Sequence, residues 1–216
     1  MAIRGIIFDL DGTLVDTIGD LTVSLNHALI TNGFDGITVE RTREIVGNGV
    51  RRLCSEAAKS SRIEQVEAVL AVMRAHYAEN YKNVTQIYDG ITELLNELTG
   101  RNVFLSVLTN KVEDVSRDIM KHYFSSWEFY PVYGAVDGRE LKPDPEMLHK
   151  IMEMRGLSAS EVLYAGDSEV DIQTARNAGV KSVAVSWGFR PRAELAELEP
   201  DFLVDKPREI LELLDK

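Results

Sequence analysis

Asp9 and Asp11 stand two residues apart at the end of a short apolar run, and a third acid, Asp167, follows another such run, Val162 to Gly166. In an extended chain residues two apart point the same way, so Asp9 and Asp11 are expected to present two carboxylates to one spot. Two like charges that close must share a proton or a cation. With Asp167 added, the set is hard and oxygen-rich, which suits Mg2+ completed by waters and a phosphate oxygen. Asp171 lies four residues further on, one turn along if a helix begins between them. It either faces the metal, directly or through a neighbour, or caps the helix.

Two polar sets elsewhere fit the same chemistry. Thr109 and Asn110 come directly after Leu108, where a hydroxyl and a backbone N–H can hold a phosphate oxygen. Lys142 precedes Pro143-Asp144-Pro145, and the prolines stiffen the backbone that carries it. A fixed ammonium offsets the repulsion between an anionic nucleophile and an anionic phosphate. Taken singly, each of these residues reads as a turn, a cap or a solvated loop. Their joint occurrence after successive strands points to a site.

The elements that must position them are legible as pattern. Arg4 to Phe8 and Val103 to Leu108 read as buried strands, and Val162 to Ala165, Lys181 to Val185 and Phe202 to Val204 as three more. Between Asp16 and about Asn80 the pattern is helical: Leu21, Leu25, Ala28 and Leu29 recur at helical spacing, closed by Asn32-Gly33, and further helices are expected near 39–46, 50–58 and 63–80. Later helices are expected from Ile91 to Leu98, ending at Gly100, from Pro145 under an Asp144 cap to Gly156, and from Asp171 to Asn177, closed by Gly179. Ser158 to Glu161 has capping-box spacing. The alternation predicts an α/β fold with a mostly parallel sheet core in residues 1–15 and 85–216, and a helical insert in 16–84. In such sheets ligands sit beyond the carboxyl ends of the strands.

Composition excludes other classes. The 216 residues are 44% hydrophobic and 27% charged, which is ordinary for a globular protein. A net charge of -11 argues against nucleic acid or an anionic membrane as partner. It leaves room for a small phosphorylated metabolite, because salt screens distant charge within about 8 Å. One cysteine, Cys54, excludes an internal disulfide and reads as a small buried apolar residue. A reducing cytoplasmic location is expected, as the first apolar run is too short for a secretory signal or a membrane span. Met73, Tyr77 and Tyr81 read as packing residues of a helix, and Trp187 as core packing.

Asp9-Leu10-Asp11-Gly12-Thr13-Leu14-Val15-Asp16, Leu108-Thr109-Asn110-Lys111, Leu141-Lys142-Pro143-Asp144-Pro145 and Gly166-Asp167-Ser168-Glu169-Val170-Asp171 resemble, in order, the four signature segments of haloacid dehalogenase-like hydrolases. The resemblance implies a Rossmann-like core with a mobile helical cap inserted after the first segment. It implies Asp9 as nucleophile, Asp11 as general acid and base, and Lys142 as a further catalytic residue. Mg2+ would be held by the Asp9 carboxylate, the Asp11 backbone carbonyl and Asp167, and the phosphoryl group by Thr109, Asn110 and Lys142. The haloacid dehalogenases proper lack the second aspartate, so phosphoester hydrolysis is favoured over carbon–halogen cleavage.

Gly47-Asn48-Gly49-Val50-Arg51, with Tyr88-Asp89-Gly90-Ile91, is similar to bacterial phosphoglycolate phosphatases, although a proline usual near Asp89 is missing. This makes 2-phosphoglycolate the leading candidate substrate and Asn48 and Arg51 secondary site candidates. Arg51 either binds a substrate carboxylate through two hydrogen bonds or lies on a solvated helix face. A sugar phosphomutase, a pyrophosphatase or nucleotidase, and a non-catalytic binding protein are the alternatives.

Overall fold

The protein is described by a computed structural model covering residues 2–215. β1 (Gly5–Phe8) is buried at every position, as a strand covered on both faces must be. β2 (Val15–Asp16) follows, then α1 (Ile18–Thr31), α2 (Val39–Ile45), α3 (Val50–Ala57) and α4 (Ile63–Asn80), and β3 (Gln86–Ile87) returns to pair antiparallel with β2. The rest alternates: α5 (Ile91–Gly100), β4 (Phe104–Val112), α6 (Glu113–Tyr123), β5 (Phe129–Ala135), α7 (Glu146–Arg155), β6 (Val162–Gly166), α8 (Glu169–Ala178), β7 (Lys181–Val185), α9 (Arg192–Glu197) and β8 (Phe202–Val204).

Among the described residues, six strands form one parallel sheet in the order β5-β4-β1-β6-β7-β8. The expected α/β class is therefore observed. β1 lies between β4 and β6, with Ile6 opposite both Leu105 and Leu163. The chain runs from β1 to β4 and β5 on one side and then to β6 on the other, so the crevice beyond β1 is the point where strand order reverses and ligands settle.

α1 buries Leu21, Leu25, Ala28 and Leu29, and Gly33 beyond it takes the left-handed φ of 78° that the sequence anticipates. α4 buries Val66, Val69, Leu70, Met73 and Tyr77. The two ends of the helical stretch are tied together by Asp20, whose buried carboxylate accepts from the Thr85 backbone N–H at 2.9 Å and the Thr85 hydroxyl at 2.8 Å. Cys54 is fully buried, and burial pushes its thiol up to about 11, so it packs and does not react. Trp187 packs on the main core and donates its indole N–H to Thr13 O at 3.0 Å.

Several boundaries differ from the pattern. Asp16 belongs to β2 and precedes the first helix. α5 runs through Gly100, and Asn102 takes the left-handed position instead. β4 continues past Leu108 to Val112, so Thr109 and Asn110 lie inside the strand, where its register with β5 shifts. α7 starts at Glu146, after Pro145, and Asp144 accepts from the Glu146 N–H at 2.9 Å. α8 begins at Glu169, which places Asp171 in its first turn. β5 is not foreseen at all, since Pro131 and Gly134 interrupt it.

Candidate active site

Three acids meet at the crevice. Asp9, Asp167 and Asp171 are buried and each offers a carboxylate oxygen within 4.8 Å of the others. Asp9 follows β1 directly, and Asp167 follows β6, its neighbour in the sheet. Asp167 is walled by backbone: a Cβ on Gly12 would meet its Oδ2 at 2.2 Å, one on Gly188 its Cβ at 2.3 Å, and the Phe189 N–H donates to Oδ2 at 2.7 Å. No other residue type fits at either glycine while the acid stays in place.

Lys142 is the counter-charge. Its side chain is 3% exposed and Nζ lies 2.6 Å from Asp171 Oδ1 and 2.9 Å from Asp9 Oδ1. The second contact lacks hydrogen-bond geometry, which leaves Asp9 Oδ1 buried with no hydrogen-bond donor among the described residues. Burial raises Asp9 to about 6 against the opposing pull of Lys142. Burial, and then the charges of Asp171 and Asp9, hold Asp167 well above the usual carboxylate range. Burial works against the charge on Lys142, yet Asp171 and Asp9 outweigh it and keep the ammonium above its ordinary value.

Three carboxylates against one ammonium leave an uncompensated buried negative charge. Such a cluster, with an orphaned oxygen on Asp9, fits a hard divalent cation. Asp171 is already committed. Its Oδ1 takes Lys142 and the Tyr164 hydroxyl, and its Oδ2 takes the Ser168 N–H at 3.1 Å and hydroxyl at 2.5 Å in a capping box for α8. The capping reading of Asp171 is therefore observed, and its carboxylate also belongs to the acidic cluster.

Asp11 goes elsewhere. The strand ends at Phe8 and the chain turns at Leu10 to Gly12, where Gly12 has a φ of 82°, so the alternation expected of an extended segment does not apply. Instead of converging on Asp9, both Asp11 carboxylate oxygens accept from Lys111 Nζ, at 3.0 and 2.9 Å, and Oδ1 also accepts from the Thr17 hydroxyl at 2.9 Å. Lys111 in turn donates to the Tyr77 hydroxyl at 2.8 Å. Tyr77 is thus a site residue as well as a packing residue, and neither it nor Lys111 stands out in sequence as a site residue. Lys111 follows Thr109-Asn110 directly, and that adjacency was the one available signal.

Thr109 is buried, and its hydroxyl accepts from the Lys111 N–H at 3.3 Å. The Asn110 amide braces the site: Oδ1 accepts from the Lys142 N–H at 2.8 Å, and Nδ2 donates to Lys142 O and to Gly47 O. Gly47 belongs to the loop between α2 and α3, and the same loop is held by Arg190, which donates to Val46 O at 2.8 Å and to Arg43 O while pairing with Glu169. A cavity of about 740 Å³ separates these acids from the helices and is lined by Asp9, Asp11, Asn48, Arg51 and Tyr77 among others. Arg51 reaches it from α3, but is paired with Glu67 on an exposed face.

Comparison with known proteins agrees with this geometry. The model of the haloacid dehalogenase-like hydrolase family matches residues 6–185. Phosphoglycolate phosphatase 1 of Pseudomonas aeruginosa is 32% identical over 219 residues, covering 99% of this chain and 80% of that one. A phosphoglycolate phosphatase of Aquifex aeolicus is also 32% identical, covering 98% and 97%. The crystal structure of a protein from Lactobacillus delbrueckii subsp. bulgaricus superposes with a TM-score of 0.91 at 31% identity, covering 99% of each chain. The chain belongs to the haloacid dehalogenase-like hydrolase family. Within that family it is an enzyme of the phosphatase kind.

Proposed function

We propose that this phosphatase hydrolyses a small phosphate monoester through an aspartyl-phosphate on Asp9, with 2-phosphoglycolate the leading candidate substrate. The observation that carries the reading is the buried Asp9, whose Oδ1 has only the Lys142 ammonium at 2.9 Å beside it, set next to Asp167 in the lining of the cavity. The names of the similar relatives support the choice of substrate.

Asp9 attacks phosphorus, forming an O–P bond as the ester oxygen leaves with a proton from Asp11; water then attacks phosphorus, giving its proton to Asp11 as the Asp9–phosphorus bond breaks. Lys142 offsets charge at Asp9 and, with Thr109, receives the phosphoryl oxygens; Asn110 fixes the backbone of Lys142. Mg2+ would be held by the carboxylates of Asp9 and Asp167 and the backbone carbonyl of Asp11, and it would supply positive charge to the phosphoryl group when bound. Asp171, with both oxygens engaged, acts on that site through Lys142 and Ser168.

Residues 16–84 form the cap, and 1–15 with 85–216 the catalytic core. The β2–β3 pair joins them, and Asn48 and Arg51 face the substrate from the cap side. The cytoplasm suits a chain whose single cysteine is buried and reduced.

The test is phosphate release from an aryl phosphate with and without Mg2+. Activity should require the metal and vanish in Asp9→Asn; full activity in that variant refutes the nucleophile assignment. A panel of phosphorylated metabolites ranked by kcat/KM tests the substrate, which is wrong if another ester exceeds 2-phosphoglycolate by about tenfold or more.

A further inference from the structure

Lys111 is near the end of β4, and its side chain is 6% exposed. An ammonium has three protons to donate. All three are used: two on the oxygens of Asp11 and one on the Tyr77 hydroxyl, with Nζ 4.5 Å from the centre of the Tyr77 ring. The set therefore joins three parts of the chain: the loop after β1, the end of β4, and the helix α4 across the cavity. Asp11 is further fixed by Thr17, the residue just before α1.

Stability alone does not account for this cluster. A buried ion pair contributes little over apolar residues of the same volume, because desolvation cancels most of the attraction. What such a cluster does supply is a defined orientation. Without Lys111, the Asp11 carboxylate would keep only the Thr17 hydroxyl among its described side-chain partners. Without the Tyr77 hydroxyl, Lys111 would keep Asp11 but lose its tie to α4.

We infer that Lys111 and Tyr77 are positioning residues for Asp11, and that the Tyr77 hydroxyl makes the placement of Asp11 depend on α4 being seated against the core. This inference rests on the reading of Asp11 as the acid and base. Its consequence falls on one step more than the other. An activated aryl leaving group departs without a proton, so the first transfer to Asp9 tolerates a displaced Asp11. Hydrolysis of the aspartyl-phosphate needs Asp11 to take a proton from water and does not tolerate it.

The experiment is rapid-mixing kinetics with an aryl phosphate and saturating Mg2+, using Tyr77→Phe, Lys111→Met and Asp11→Asn. For Tyr77→Phe we expect a burst of released aryl alcohol approaching one per enzyme, then steady turnover lower by about tenfold, with KM lower by a similar factor so that kcat/KM holds within about twofold. Lys111→Met should show the same burst with slower turnover. Wild-type turnover in Tyr77→Phe overturns the inference. So does slowed turnover without a burst, which is what a merely structural role predicts. Tyr77→Phe removes one oxygen, so it keeps the test decisive should Lys111→Met fail to fold. Asp11→Asn separates the two levels: if it turns over normally, the reading of Asp11 fails, whatever Tyr77→Phe does.

Discussion

The two walls of the cavity are built on different terms. On the core side, Asp167 is enclosed by glycine backbone, both oxygens of Asp171 are bonded, and Lys142 is 3% exposed between two acids. On the helical side, Arg51 is 63% exposed and pairs with Glu67 at the surface, and the segment ending at Gly47 is held to the core by one bond from Asn110 and two from Arg190. The first wall leaves no freedom to vary a residue without moving a charge. The second can change side chains at small cost, which is how a fixed chemistry comes to serve different leaving groups. Tyr77 is the exception, a helical residue wired into the chemical side.

The contrast can be broken at its strongest point first. Asp171→Ala removes one partner of a buried pair and the cap of α8 together. It should cost about 3–5 kcal/mol, read as a fall in the urea midpoint, along with most of the activity. Gly188→Ala forces a methyl group against Asp167 and Gly12 O, and should lower stability by about 1–3 kcal/mol and weaken Mg2+ binding, measured by thermal shift with and without metal.

The acids also predict a pH dependence. Asp9 sits at about 6 in the metal-free fold against 3.8 in a free chain, and Asp167 is raised too, so the folded state holds protons that the unfolded state has released. The resulting stabilisation is full below about pH 3.8 and is lost as pH rises through about 6. A divalent cation held by Asp9 and Asp167, as proposed for Mg2+, must displace those protons, so its apparent affinity should climb by about tenfold per pH unit per proton below pH 6. Calorimetric titrations at pH 5, 6 and 7 would show it, and a pH-independent affinity would place the ion elsewhere.

The smallest effect is expected on the other wall. Arg51→Ala should change the urea midpoint by less than about 0.5 kcal/mol equivalent, because its ion pair is exposed. If Arg51 meets the substrate carboxylate, kcat/KM for 2-phosphoglycolate should fall in this variant while that for an aryl phosphate without a carboxylate holds.

How much of this was legible in sequence follows the same division. β1, β6, β7 and β8 were readable because buried parallel strands are continuous apolar runs, and α1 to α4 because their faces repeat at helical spacing. β5 hid behind Pro131 and Gly134, and two-residue strands such as β2 and β3 carry no period at all. At the site, acids placed by strand ends could be anticipated. The course of Asp11 could not, because the strand stops at Phe8 and the chain bends at Leu10, which cancels the two-residue alternation on which the expectation stood. Nor could Tyr77 and Lys111 be paired, since residues 34 positions apart meet only once α4 is placed across the cavity from the end of β4.

The pairing of Asp16 with Gln86, reinforced by the Asp20 carboxylate on Thr85, brings the departure and return of the helical stretch side by side. Neighbouring strands run about 4.8 Å apart, a gap that a turn of a few residues can bridge. The intervening seventy or so residues are therefore an excursion with adjacent ends, tied off where it begins, and the six-stranded sheet threads past it without using any of it for its own hydrogen bonding. Such an arrangement lets one scaffold exchange the helical stretch as a single piece of chain, spliced at two short strands, the first of which begins only six residues after Asp9.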